Sequence, residues 1–293
     1  MAFNEIKQTF KVAVTRYYDR QAVSGQLVSY IPNSYAERTS RPICALMYLI
    51  GFMLAFVVGT ILITMSQSLA EPQIRVVAFI WVQNIMKFLG FSPRLALIGT
   101  PLVVVVILLA LQFTSKTPWR VKFEDLFLMA GECVLLTIPL IVLSLLLNRE
   151  PPVTHIAALA AHVAEAPNLL WVDIVTGIGA GIYEELIFRL VLICLLMLLF
   201  QDLFGMKKKT AVVLSVVTSA VLFSVHHHIF FANGQFHQGD IFTAGKFIFR
   251  AMAGAYFAIL YAVRGFGITA GTHAFYNILA AILRTALFVV QPE

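Results

Sequence analysis

The chain has 293 residues, 60% of them hydrophobic and only 12% charged, with a mean hydropathy of +0.86. That is more apolar than a water-soluble core requires and excludes an ordinary soluble domain. The net charge of +6 comes from basic residues that are not interleaved with exposed aromatics, so a nucleic-acid partner is excluded and the charge reads as membrane orientation.

In the leading segment, residues 1–42, Phe3, Ile6, Phe10, Ala13, Val14 and Tyr17 recur at helical spacing, with Lys7, Lys11, Arg16 and Arg20 along the margin. This pattern fits an interfacial helix on an anionic leaflet, and equally a solvated tail with chance periodicity. No cleavable signal peptide is expected, and the first long apolar run serves as its own signal. Apolar runs then recur at Ile43–Met65, Leu95–Phe113, Leu126–Leu147, Leu169–Phe200, Ala211–His227, Phe242–Val263 and Phe266–Val290. Each is about the length a spanning helix needs, and 169–200 is over-long. The weak ten-residue alternation of a β-barrel is absent. The expected fold is therefore all-α, a polytopic transmembrane bundle of about seven to eight helices around an intramembrane polar cavity. It divides into a cytoplasmic amphipathic tail (1–42), N-terminal membrane helices (43–168) and a core carrying the polar residues (169–293).

The stretch Ile74–Phe91 carries Arg75, Gln83, Asn84 and Lys87 and reads as lateral or re-entrant rather than spanning. With residues 74–93 kept on one side, most of the 21 Lys and Arg gather with the tail, the loops 114–125 and 201–209, and Arg264. The positive-inside rule makes that side, and with it the N-terminus, cytoplasmic, and the expected location is the cell inner membrane. Cys44, Cys133 and Cys194 lie in or beside apolar helices and imply no disulfide framework.

Glu184, Glu185 and Arg189 interrupt the over-long run. Each charge at that depth costs about 3 kcal/mol by insertion scales, so the default reading is a functional site. Helical geometry lets Glu185 reach Arg189 while Glu184 points elsewhere. Gly177 and Gly181 just upstream form a small-xxx-small pair that admits another helix. Two buried carboxylates cannot both stay ionised cheaply, so one is available as a base. Taken alone, the trio could equally be a buried pair fixing helix register. Further polar groups favour chemistry: Phe223-Ser-Val-His226-His227-His228 closes one helix, and His273-Ala-Phe-Tyr-Asn277 puts an imidazole and an amide on one face of the last.

Taken in order, Glu184-Glu185-Leu-Ile-Phe-Arg189, Phe223-Ser-Val-His-His227 and His273-Ala-Phe-Tyr-Asn277 resemble the EExxxR, FxxxH and HxxxN motifs of the CAAX-protease and bacteriocin-processing (CPBP, Abi) intramembrane proteases. The resemblance covers about residues 170–280, which makes 169–293 a CPBP-like catalytic core. It implies that Glu184 is the general base for a water that His227 helps to position. It also implies that Glu185 and Arg189 hold Glu184, and that His273 and Asn277 stabilise the oxyanion. A positioned base and donors aimed at developing charge are also what amide hydrolysis asks for. Ser224 and Cys194 lack a nucleophile setting and read as structural.

No cofactor and no metal are expected, although carboxylates and histidines are also a zinc ligand inventory; the HExxH spacing is missing. The expected partners are the lipid bilayer and a membrane-anchored peptide or protein substrate. The alternative function is a noncatalytic immunity or transport-like protein using the same polar cluster for binding, or a metal-dependent version of the protease. Lys246 and Arg250 read as snorkelling, or as capture of a substrate carboxylate. Glu132 is expected to pair with a basic group outside the site. His226 and His228 are expected to be loop or membrane-edge contacts, and His237 to be solvated. For the motifs to meet, the helix from Ala211 would have to continue through Phe231, or the last helices would have to be broken.

Overall fold

A computed structural model describes residues 30–66, 76–147, 166–232 and 234–289 of the chain. The amphipathic repeat between Phe3 and Arg20 lies outside them. Helix α1 (Tyr35–Thr39) starts where the Ser34 hydroxyl accepts from the Glu37 amide. α2 (Pro42–Ser66), α3 (Val77–Phe88), α4 (Pro93–Ser115) and α5 (Phe123–Leu147) follow. α6 (Ala166–Glu185) continues without a break through a π-helical turn (Leu186–Val191), α7 (Leu192–Met197) and a second π turn (Leu198–Leu203). α8 (Lys208–His228) ends in a β-hairpin, β1 (Ile229–Ala232) and β2 (Gln235–Gln238), before α9 (Ala244–Arg264) and α10 (Phe266–Val289).

This is an integral, multi-pass helical membrane protein. Among the described residues, six helices are long and apolar enough to cross a bilayer, Pro42–Ile63, Phe123–Leu147, Leu170–Leu203, Lys208–His228, Ala244–Arg264 and Phe266–Thr285. α4, capped by Ser92 with Pro93 in its first turn, carries a shorter apolar stretch, Gly99–Ser115, and is not one of the six. α3 has only 12 residues, about 18 Å, and is too short to cross. It packs on α4 and α6 and reaches the hairpin, where Trp81 Nε1 donates to the Phe231 carbonyl at 2.6 Å.

Two polar ends result. At one end, α1 is clamped to the start of α5 and the end of α9. Arg38 forms a bidentate pair with Asp125 (2.6 and 2.7 Å), Arg41 pairs with Glu37 and donates to the Arg120 carbonyl, and Arg264 pairs with Glu132 at 2.6 and 2.7 Å. Residues 30–42, the loop 114–125 and Arg264 therefore share an end. α3 and the hairpin lie at the other.

α10 is the centre of the bundle, in contact with α6, α5, α2 and α9. A side chain could not be added where it meets α6. A Cβ on Gly177 would sit 2.7 Å from Asn277 Cβ, and one on Gly181 would sit 2.5 Å from the Ala274 amide nitrogen. The Gly177/Gly181 pair thus seats α10 against the backbone of α6, as its spacing suggests. Behind this contact Phe56, Phe79 and Tyr183 pack edge to face, with ring centroids 4.9–5.6 Å apart.

The helix after Ala211 does not continue through Phe231, and α10 is not broken. α8 stops at His228 because the chain turns back on itself: Gly239 and Asp240 donate their amides to the His228 and His227 carbonyls at 2.8 and 2.9 Å. His237 is a half-buried strand residue stacked on Phe230, with Nε2 3.1 Å from the Ala232 carbonyl, rather than a solvated loop residue. The motifs meet because α10 starts inside the bundle. α9 and α10 are joined by Gly265 alone, whose φ of 81° makes the reversal possible without strain. Gly267 then packs against Ala45 and Met129, six residues into α5, which recesses the start of α10 by about 9 Å.

Candidate active site

The over-long rod 166–203 delivers Glu184, Glu185 and Arg189 to mid-bundle. The α-helix gives way to π geometry at Leu186, directly after the two acids, so Arg189 sits in a wider turn than its spacing implies. Single π turns in α-helices recur at functional sites because they re-aim side chains that α geometry would place elsewhere.

Glu185 and Arg189 are both fully buried, with Arg189 Nε 3.0 Å from Glu185 Oε2. The guanidinium lies 4.4 Å above the Phe223 ring and donates Nη2 to the Gly254 carbonyl at 3.2 Å. A buried ion pair is stable only with such supplementary partners. The other Glu185 oxygen, Oε1, is 2.8 Å from His273 Nδ1. Glu185 therefore touches Arg189 and His273, and its contacts differ from the expectation that it holds Glu184. Its effect is to fix the His273 ring, which also stacks on Phe257 at 4.5 Å.

Glu184 is buried and faces three imidazoles. Its Oε2 lies 3.9 Å from both His227 Nε2 and His273 Nε2, and its Oε1 lies 3.8 Å from His226 Nε2. His226 thus belongs to the cluster and is not a loop or membrane-edge contact; it is 6% exposed, against 25% for His227. His228 does make the expected loop contact, Nδ1 to the Asp240 carbonyl at 3.0 Å. Asn277, one turn beyond His273, donates Nδ2 to the Gly177 carbonyl at 3.2 Å. All six residues of the three motifs, Glu184, Glu185, Arg189, His227, His273 and Asn277, are thus gathered where α6, α8 and α10 meet.

The hydrogen-bond partners assign the tautomers. A carbonyl only accepts, so Nδ1 of His226 and of His227, 2.6 and 2.8 Å from the Phe223 carbonyl, must carry the proton. His273 Nδ1 likewise donates to Glu185, which Arg189 holds as a carboxylate. In their neutral forms all three rings then present bare Nε2 atoms to Glu184. Gaps of 3.8–3.9 Å exceed a direct hydrogen bond, and a water donating to both sides closes such a gap.

The remaining singled-out groups are structural. Ser224 donates to the Phe247 carbonyl at 2.8 Å, and Cys133 donates to the Ile268 carbonyl at 3.4 Å. Glu132 pairs with Arg264 and with the Tyr35 hydroxyl (2.7 Å) at the far end. Arg250 bonds Asp240, whose carboxyl burial pushes up but the arginine holds below its usual range.

Residues 166–279 match the family model described as Type II CAAX prenyl endopeptidase Rce1-like. This stretch of the chain is similar to that family. It opens at the first residue of α6 and closes two residues past Asn277, so the whole cluster lies within it. No curated protein and no solved structure matches the chain. Of the helices before the matched residues, α2, α3 and α5 pack against them, and α4 packs on α2 and α3.

Proposed function

We propose that this protein is an intramembrane endopeptidase that hydrolyses a peptide bond of a membrane-associated or lipidated substrate, with water activated by Glu184. The observation that carries the reading is the Glu184 carboxylate, free of any direct hydrogen bond among the described residues and ringed at 3.8–3.9 Å by three Nε2 atoms inside the stretch similar to the Rce1-like family. A water donating one proton to Glu184 Oε2 and the other to His227 Nε2 would turn a lone pair to the substrate carbonyl. Glu184 takes the water's proton as the oxygen attacks; when the C–N bond breaks, that proton passes to the departing amine. Asn277 spends one amide N–H on Gly177 and has a second for the developing oxyanion, beside the fixed ring of His273. By the family likeness, a CAAX-type lipidated peptide is the first substrate to test.

Residues 169–293 would form the catalytic unit, and 43–168 its membrane scaffold. The end bearing α1 and Arg264 would face the cytoplasm, in a cell inner membrane, on the strength of its basic residues.

A metal-dependent version rests on the same atoms. Glu184, His226 and His227 offer ligand atoms within 4.8 Å of one another, and each imidazole donates its other nitrogen to a carbonyl, as metal-bound histidines do. The test is cleavage of a panel of membrane-anchored peptides, including a farnesylated one, by reconstituted protein with and without a strong chelator. Cleavage that is lost in Glu184→Gln and indifferent to the chelator supports the glutamate-water reading, and loss on chelation transfers it to the metal. If wild type and variant are equally inert throughout, the noncatalytic reading stands.

A further inference from the structure

The FxxxH spacing that carries the family resemblance passes over His226, and the reaction proposed above does not use it. Yet its surroundings are the most constrained of the three imidazoles. Nδ1 is 2.6 Å from the Phe223 carbonyl, and the ring is wedged against Phe188 (4.6 Å between centroids), Trp81 (5.8 Å) and His227 (4.0 Å). With Nδ1 bound on one side, Nε2 can point only at Glu184 Oε1, 3.8 Å away. The two carboxylate oxygens are therefore not equivalent: Oε2 faces His227 and His273, whereas His226 faces Oε1.

A glutamate turns about three side-chain bonds, and a base whose oxygens exchange places presents its lone pair to the water only part of the time. Catalytic carboxylates gain from being held by a group outside the reaction. We propose that His226 is a positioning residue: it fixes the Glu184 carboxylate through Oε1 across one water that donates to both its Nε2 and Oε1, so that Oε2 alone serves as the base. This rests on the hydrolytic reading of the site. Trp81 and Phe188 orient the ring, which makes the non-spanning α3 and the π turn after Glu185 part of the device.

The alternative is that His226 merely fills the space between the aromatics. His226→Phe preserves the ring and removes the nitrogen, while His226→Gln can place an amide oxygen, an acceptor like the bare Nε2, near the position of Nε2. Turnover of a farnesylated peptide ending in a CAAX sequence would be measured in proteoliposomes, beside wild type, Glu184→Gln and the hairpin control His237→Phe. Melting temperatures would be recorded for all of them. A displaced catalytic group can cost about a hundredfold, so His226→Phe is expected to lower kcat roughly 10- to 100-fold with KM within about twofold. His226→Gln should recover most of that loss, and His237→Phe should match wild type. Wild-type kcat in His226→Phe overturns the proposal while leaving the Glu184 reading intact, and so does a change confined to KM. If His226→Phe fails to fold, His226→Gln decides: kcat within about tenfold of wild type supports the role, and a collapse equal to Glu184→Gln contradicts it. Turnover equal in wild type and Glu184→Gln removes the parent reading and this role with it.

Discussion

Two of the acid–arginine sites in the bundle are built from similar parts and completed differently. At the α1 end, Glu132 receives Arg264 on both oxygens at 2.6 and 2.7 Å and the Tyr35 hydroxyl at 2.7 Å. At mid-bundle, Glu185 is likewise consumed by Arg189 and His273, but its neighbour Glu184 has no partner closer than 3.8 Å among those recorded for it. Desolvating a carboxylate costs several kcal/mol, and direct partners offset that cost. Glu132 and Glu185 are offset by direct contacts and are architecture. Glu184 keeps its lone pairs at the gap distance of a water, which in the proposed reaction leaves it to take a proton.

The contrast can be broken most severely at Glu184 itself. Glu184→Gln should reduce cleavage roughly 10⁴-fold, the top of the range for a general base, because Glu185 is committed elsewhere. Its melting temperature should stay near wild type, since no direct hydrogen bond is removed.

Arg189→Met should cost about 3–5 kcal/mol of stability in a denaturation series by stranding Glu185 as a buried charge. Adding Glu185→Leu should restore much of that stability without activity, because His273 would still have lost its anchor. Gly181→Ala should cost about 1–3 kcal/mol and reduce kcat, since its methyl would meet the Ala274 backbone at 2.5 Å and push α10 and its His273 away from α6. Denaturation and turnover of the single variant check both effects. Arg38→Gln should have the smallest effect, about 1–2 kcal/mol, because Arg38 is partly exposed at the bundle end and the glutamine amide keeps a donor for the buried Asp125.

All six motif residues could be read from the sequence because helical spacing and the order EE-R, F-H, H-N survive translation into a bundle. The Gly177/Gly181 seat was legible for the same reason, as was a basic partner for Glu132. The hairpin had a readable signature that the apolar runs overshadowed: the dipeptide Asn-Gly at 233–234 is a sequence pattern that favours a two-residue turn, and strand formers flank it. His226 was hidden because three consecutive histidines diverge on an ideal helix; only the i, i+3 relation to Phe223 hinted that one carbonyl orients two of them. The recess of α10 had no local signature. It depends on Gly267 and Gly271 meeting Ala45, Tyr48 and Cys133, which are distant in sequence.

The most direct test sets the two sites against each other by comparing Glu184→Gln with Glu132→Gln in the same proteoliposomes, scored for cleavage of one lipidated peptide and for melting temperature. The account predicts opposite outcomes: Glu184→Gln inactive at a near-wild-type melting temperature, Glu132→Gln active at a lowered one. Activity retained in Glu184→Gln, or lost in Glu132→Gln without any change in melting, would contradict it.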